Sequence, residues 1–224
     1  MKDWRSIIPV ISVFWVLTAF SVSAQKKVAE FTLVYDYSVA TAGNAGRQMD
    51  SGQMAIHTVY IKGNKSRSEM TNSLFSSTTI YDANTGAAVI LREVSGQKLL
   101  IRLTPENWQE RNSIFQGLVF NDTAETKEIA GYKCTKAVAQ TKSGATITVF
   151  YTRDIIPENR EYDPYFKDLD GLPLEYEMAK GDLKIKYKVS KIDFNPVPAS
   201  KFDIPKSGYR EMDYEEGKKL NIGG

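Results

Sequence analysis

The sequence holds one histidine, His57, and one cysteine, Cys134, which narrows the chemistry open to it. A Ser-His-Asp or Cys-His nucleophile needs an imidazole beside it. His57 sits instead in Met54-Ala-Ile-His-Thr-Val, a strand-like stretch where a structural or surface role is the ordinary one. One His and one Cys also fall short of a zinc ligand set, so no metal is expected. Cys134 reads as a small buried hydrophobe with an inert thiol. Glu161, Asp163, Asp168 and Asp170-Gly171 form an acidic stretch, but without the Asp-x-Asp-x-Asp-Gly spacing of a calcium loop it reads as a solvated turn. No Gly-rich phosphate loop occurs, and no cofactor is implied. Glu175 and Glu177 are the one suggestive carboxylate pair. On one face of a strand they would stand about 7 Å apart, which invites a glycosidase-like hydrolase reading. The plainer reading is a polar outer face.

A different feature carries more functional weight. Thr104-Pro105-Glu106-Asn107-Trp108 opens like a helix, with a capping threonine and a proline in the first turn. It runs on through Ile114, Phe115, Leu118, Val119 and Phe120. If this segment covers a concave sheet, Trp108, Ile114, Phe115, Leu118 and Phe120 close a hydrophobic chamber for an acyl chain. Alternatively the segment simply completes the core.

The elements that must position it are strands, because period-two alternation dominates the chain. Ala29, Phe31, Leu33, Tyr35, Tyr37 and Val39 line one face of the first strand, while Glu30, Thr32, Asp36 and Ser38 line the other. Leu183, Ile185, Tyr187 and Val189 alternate with three lysines, and Leu172, Leu174, Tyr176 and Met178 are joined to them through Lys180-Gly181-Asp182, a hairpin signal. Facing Glu and Lys residues of this hairpin are placed to pair on its wet side. After Val189 the apolar parity flips, since Ile192 and Phe194 take the register of the lysines, so a bulge near Ser190-Lys191 is expected and the sheet should curve. Further strands fall at 54–61, 65–70, 78–81, 87–93, 98–103, 132–140 and 145–151, separated by Gly- and Asn-bearing turns. This describes an antiparallel meander. The stretch 159–168 reads as a single helical turn or loop.

Composition agrees. Twelve Tyr and ten Phe suit half-buried pleated surfaces, and 29 Lys and Arg against 27 Asp and Glu exclude the basic footprint of nucleic-acid binding. Residues 1–24 have the form of a cleaved signal peptide: Lys2 and Arg5, an apolar run from Ile7 to Phe20 too short to span a bilayer, and Val22-Ser23-Ala24 before Gln25. The expected product is exported, periplasmic or envelope-associated, and not membrane-spanning. Residues 25–214 read as a single domain, and 215–224 as a flexible tail poor in apolar residues.

Four motifs carry a family resemblance: Ile129-Ala-Gly-Tyr-Lys-Cys134-Thr-Lys-Ala137, Tyr151-Thr-Arg-Asp-Ile155, Gly171-Leu-Pro-Leu-Glu175 and Phe202-Asp-Ile-Pro205-Lys-Ser-Gly-Tyr209. In order and spacing they resemble the exported, uncharacterised GLPGLI family of bacteria. Leu174 stands where that family has a second glycine, so the chain looks more like a sister family of the DUF4412 type. That group is similar in fold to the periplasmic lipoprotein carriers of the LolA and LolB kind, whose curved antiparallel sheet wraps a helix. The resemblance implies a strongly curved, mainly β half-barrel with one or two short helices in or across its concave face. It also implies a candidate ligand, a lipid or other hydrophobic small molecule. The motifs have structural readings too: Gly131 in a tight turn, Pro173 at an edge or strand start, and Phe202 to Tyr209 folding back over one end of the sheet.

The reading is therefore a non-catalytic exported module that binds a lipid, acyl chain or lipidated partner. The alternative is an envelope scaffold that contacts another protein, its concavity filled by its own side chains. A hydrolase using Glu175 and Glu177 stands third.

Overall fold

A computed structural model describes residues 25–41, 55–73 and 75–219. The leader expected at 1–24 and the end of the tail at 220–224 lie outside these. Among the described residues the strands are β1 (Lys26–Val28), β2 (Glu30–Thr41), β3 (Ala55–Lys62), β4 (Lys65–Thr71), β5 (Phe75–Asp82), β6 (Ala87–Val94), β7 (Gln97–Leu103), β8 (Asn121–Ile129), β9 (Tyr132–Gln140), β10 (Thr146–Thr152), β11 (Ile155–Pro157), β12 (Leu172–Lys180), β13 (Leu183–Asp193) and β14 (Arg210–Met212). Two short helices, α1 (Pro105–Arg111) and α2 (Tyr214–Lys219), complete them.

Twelve strands form one sheet in the order β14-β7-β6-β5-β4-β3-β2-β13-β12-β10-β9-β8, and β1 with β11 forms a separate parallel pair. Every neighbour in the large sheet is antiparallel except β14 on β7. Strands β14 and β8 stand at its two ends, so the sheet stays open. It is nevertheless strongly bent. Arg92 on β6 and Tyr176 on β12 are six places apart in the order, about 29 Å in a flat sheet, yet they border one cavity.

The bend has local causes. Register slips between Val189 and Lys191 of β13, the bulge expected from the parity flip, and again opposite Phe150 and Tyr151 of β10. At the second slip β12 begins. Pro173 stands there at a strand start, inside the sheet, and its carbonyl accepts a hydrogen bond from Tyr35 at 2.9 Å. Gly171 lets the chain pass there, since a Cβ in its place would lie 2.2 Å from the Thr152 carbonyl oxygen.

Alternation places the core as expected. Phe31, Leu33 and Tyr35 of β2 turn inward with Val149, Tyr176, Tyr187 and Val189 to form the principal cluster on the concave face. A second inner cluster joins Tyr81, Ile90, Ile101 and Leu103 to Met212, Tyr214 and Trp108. A third lies on the opposite face, where Ile80, Val89, Leu91 and Leu100 are covered by Val197 and Phe202. Strands β6 and β7 are thus buried on both faces, which explains their unbroken apolar runs Ala87–Leu91 and Leu99–Ile101. The segment after β13 therefore straps the convex face rather than plugging one end. The Lys62 ammonium and Arg67 guanidinium hold it by donating to the carbonyls of Val197 and Lys201, at 3.0 and 2.9 Å.

Some short or polar strands were not legible. β8 reads NDTAETKEI, almost wholly exposed, because an edge strand needs no apolar face and its charges guard the open edge. Residues 215–219, assigned to the flexible tail, belong to α2, and Lys218 bridges to Glu110 of α1 at 2.6 Å. No helix among the described residues is long and apolar enough to cross a membrane.

Candidate functional site

The concave face is not uniformly filled. Its inward positions on β4 and β5 carry Ser66, Ser68, Met70, Ser77 and Thr79, small or flexible side chains where β2 carries Phe31, Leu33 and Tyr35. Short side chains cannot reach across a bent sheet, and a cavity of about 390 Å³ remains above them. Tyr176, Met178 and Tyr187 of β12 and β13 form the far wall. Trp108, Arg111, Ile114 and Phe115 cover it together with Tyr162, Asp163 and Tyr165 of the 159–168 stretch.

The covering segment is part helix and part loop. Thr104 caps α1 as expected, its hydroxyl accepting from the Asn107 amide at 3.3 Å while the Asn107 side chain accepts from the Thr104 amide at 3.2 Å. The helix stops at Arg111, where the Asn112 side chain donates to the Trp108 carbonyl at 2.8 Å. One 3₁₀ turn follows at Ser113–Phe115, and Gly117, at φ +73°, ends the helical path.

The five residues read from sequence consequently part company. Trp108 stacks on Tyr81 with ring centroids 4.8 Å apart. Phe115 packs on Tyr165 at 4.0 Å, and Ile114 is 43% exposed at the rim. These three line the cavity. Leu118 and Phe120 do not: Leu118 is buried in the principal cluster, and Phe120 packs on Phe166 at 5.9 Å.

Polar groups to which the sequence pointed no binding role complete the lining. His57 is buried on the inner face of β3, stacked on Tyr35 at 5.5 Å, with Nε2 2.8 Å from the Ser68 hydroxyl. Its Nδ1 has no hydrogen-bond partner among the described residues, and burial lowers its pKa to about 4, so the ring is neutral. Asp163 is half-buried rather than solvated, and desolvation raises its pKa to about 6 against the Tyr165 amide, which donates to it at 2.9 Å. Arg92 and Arg111 are both half-buried in the lining, and neither has an ion pair among the described residues. Burial lowers the Arg111 pKa, partly offset by Tyr165 and Tyr214, and the charge of Arg92 adds a small further lowering. A signal for Arg111 existed, because it lies three residues after Trp108 on one helix face.

The carboxylate pair sits elsewhere. Tyr176 and Met178 point into the cavity, so Glu175 and Glu177 point from the convex face. Glu175 takes Lys127 at 2.8 Å and Lys186 at 2.9 Å, and Glu177 takes Lys184 at 3.6 Å. The pairs with Lys186 and Lys184 are diagonal, since the residues directly opposite are Lys188 and Lys186, and Lys127 reaches in from β8. Burial pushes the Glu175 pKa up, but hydrogen bonds from both lysines overcome it and leave the carboxyl below its usual range, the opposite of what a general acid needs. Cys134 is fully buried, and desolvation raises its thiol pKa to about 11. Among the described residues no cluster of His, Cys, Asp or Glu could hold a metal ion.

No family model matches the chain, and no curated protein matches it. Solved structures do. The structure of PNGF-II in its P21 space group aligns with a TM-score of 0.52 at 16% identity, over 85% of this chain and 33% of that one. The chain thus spans about a third of the length of PNGF-II. An uncharacterised conserved protein from Thermus thermophilus aligns with a TM-score of 0.51 at 10% identity, over 83% of this chain and 90% of that one. A β-barrel-like DUF1849 protein from Brucella abortus is more distant, with a TM-score of 0.40 at 9% identity over 75% and 98% of the two chains. What the chain shares with known structures is its fold.

Proposed function

We propose that the protein is an exported module that acts by binding, without catalysis, and holds a hydrophobic molecule, lipid or lipidated partner in the hollow of its sheet. The cavity of about 390 Å³ beneath Trp108 and Phe115 carries this reading, because a scaffold with a self-filled interior would have none. Its volume falls in the range of small-molecule sites, and Met70, Phe75, Tyr81, Trp108 and Phe115 supply apolar wall. The motifs resembling the GLPGLI and DUF4412-type families, and through them the lipoprotein carriers, agree with an envelope location and a greasy ligand. Glu175 and Glu177, neutralised by lysines on the convex face, leave the hydrolase reading without a site in the hollow.

Native mass spectrometry of protein purified from cells tests the proposal. A co-purifying lipid mass should be present and should diminish in Phe115→Asp, which puts a charge into the cavity wall. Absence of any bound mass, together with no uptake of a fluorescent fatty acid, would remove it.

A further inference from the structure

Two arginines in one small cavity are hard to explain as packing. Buried charge is costly unless paired, and two like charges lining one cavity leave that cost uncompensated. Four other half-buried cations have ion-pair partners: Lys62 pairs with Glu30 at 2.6 Å, Arg67 with Glu69, Lys127 with Glu175 at 2.8 Å, and Lys136 with Glu125 at 2.6 Å, while Lys167 and Lys201 have none among the described residues. Arg92 and Arg111 lack an ion pair among the described residues, although Asp163 borders the same cavity. The Arg111 guanidinium lies over the face of Trp108 at 6.0 Å, and Arg92 faces the hydroxyl row of Ser77 and its neighbours. Guanidinium forks match the oxygens of a carboxylate or phosphate, and serine hydroxyls add donors.

We propose that the ligand is an anionic amphiphile whose carboxylate or phosphate head is gripped between Arg92 and Arg111 while its apolar body lies against Met70, Phe75, Trp108 and Phe115. This rests on the binding reading above and specifies its chemistry. An incoming anion supplies the counter-charge that neither guanidinium has in an ion pair, so recognition of the head and stabilisation of the site are one event.

The experiment is calorimetric titration of the full chain with four probes: laurate, dodecyl phosphate, dodecanol and inorganic phosphate. Laurate or dodecyl phosphate should bind at least tenfold more tightly than dodecanol, and inorganic phosphate more weakly than either. The preference for an anionic head should collapse to within about twofold in Arg92→Gln/Arg111→Gln, with dodecanol affinity kept. Arg92→Lys and Arg111→Lys, which keep the charge and lose the fork, should retain part of it, and Lys188→Gln on the convex face should change nothing. Equal affinity for dodecanol and laurate, or a preference untouched by the arginine variants, overturns the anionic head and leaves the binding reading standing. Tight binding of inorganic phosphate alone overturns the amphiphile. Binding of none of the four overturns both proposals. Should the double glutamine variant not fold, the lysine variants decide.

Discussion

His57 and Asp163 border the same cavity with pKa values displaced in opposite directions, to about 4 and about 6, each by desolvation. Around His57 stand Tyr35, Tyr187 and Ser68, and around Asp163 stand Tyr35, Tyr162, Tyr165, Tyr176 and Tyr187. The folded-state pKa of His57 lies below its unfolded value, so between pH 6.5 and 5 the unfolded chain takes up the proton and stability falls. That of Asp163 lies above its unfolded value, so over the same interval the native state takes up the proton and stability rises. Each displacement is worth on the order of 3 kcal/mol in full, and the two slopes oppose one another. Urea midpoints between pH 5 and 6.5 should change little in the natural protein, fall on acidification in Asp163→Asn and rise in His57→Gln. Identical pH slopes in all three proteins would refute the assignment.

Legibility at this scale was uneven for physical reasons. Cys134 could be read as an inert core thiol because a single cysteine has few alternatives. His57 could not be assigned to a face, because Ile56 and Tyr60 make both faces of β3 look apolar. Ile56 is in fact 53% exposed, and Tyr60 packs under the strap, with its hydroxyl 3.2 Å from the Lys201 ammonium. Arg92 was hidden because β6 is apolar on both sides, leaving no parity to read. Asp163 looked solvated because its neighbours Glu161, Asp168 and Asp170 are exposed.

The strands with one wet face were legible with their register, β6 and β7 with two dry faces were legible as strands but not as to their inward side, and β8 with no dry face was not legible. β2 and β13 announced their register and even the bulge after Val189, because lysine and tyrosine alternate against a curved core. β8 has no inward apolar row, and β14 is three residues long. The strap over the convex face is the element whose role changed most. Phe202 fills the third cluster at 8% exposure, so Phe202→Ala should cost about 3 kcal/mol in urea unfolding. The affinity for an acyl probe should stay the same, because that cluster and the cavity lie on opposite faces of β5 and β6. A variant with full stability, or one that loses binding while still folded, would show that the strap is placed wrongly. Residues 104–120 are helix as far as Arg111 and loop after Gly117, and of their five apolar residues Trp108, Ile114 and Phe115 line the cavity while Leu118 and Phe120 pack elsewhere.

Over the whole molecule, one bent sheet has its concave face filled around β2, β12 and β13 and hollow over β4 and β5. The difference comes from side-chain size: Phe31, Leu33, Tyr35 and Tyr176 share the principal cluster, with the Tyr35 and Tyr176 rings 5.7 Å apart, and Ser66, Ser68, Ser77 and Thr79 are too short to fill the space above them. Sequence pattern conveys the sheet, because alternation is local, but not the hollow, which depends on which strands the bend brings face to face. Met70 and Met178 line that hollow, whereas Met212 is buried in the second cluster. Methyl-labelled methionine spectra recorded while laurate is titrated into the full chain therefore report directly on where a ligand sits. With a ligand in the hollow, the Met70 and Met178 resonances should move together and saturate while Met212 stays in place. Movement of Met212 alone, or none at Met70 and Met178 under saturating laurate, would contradict that placement.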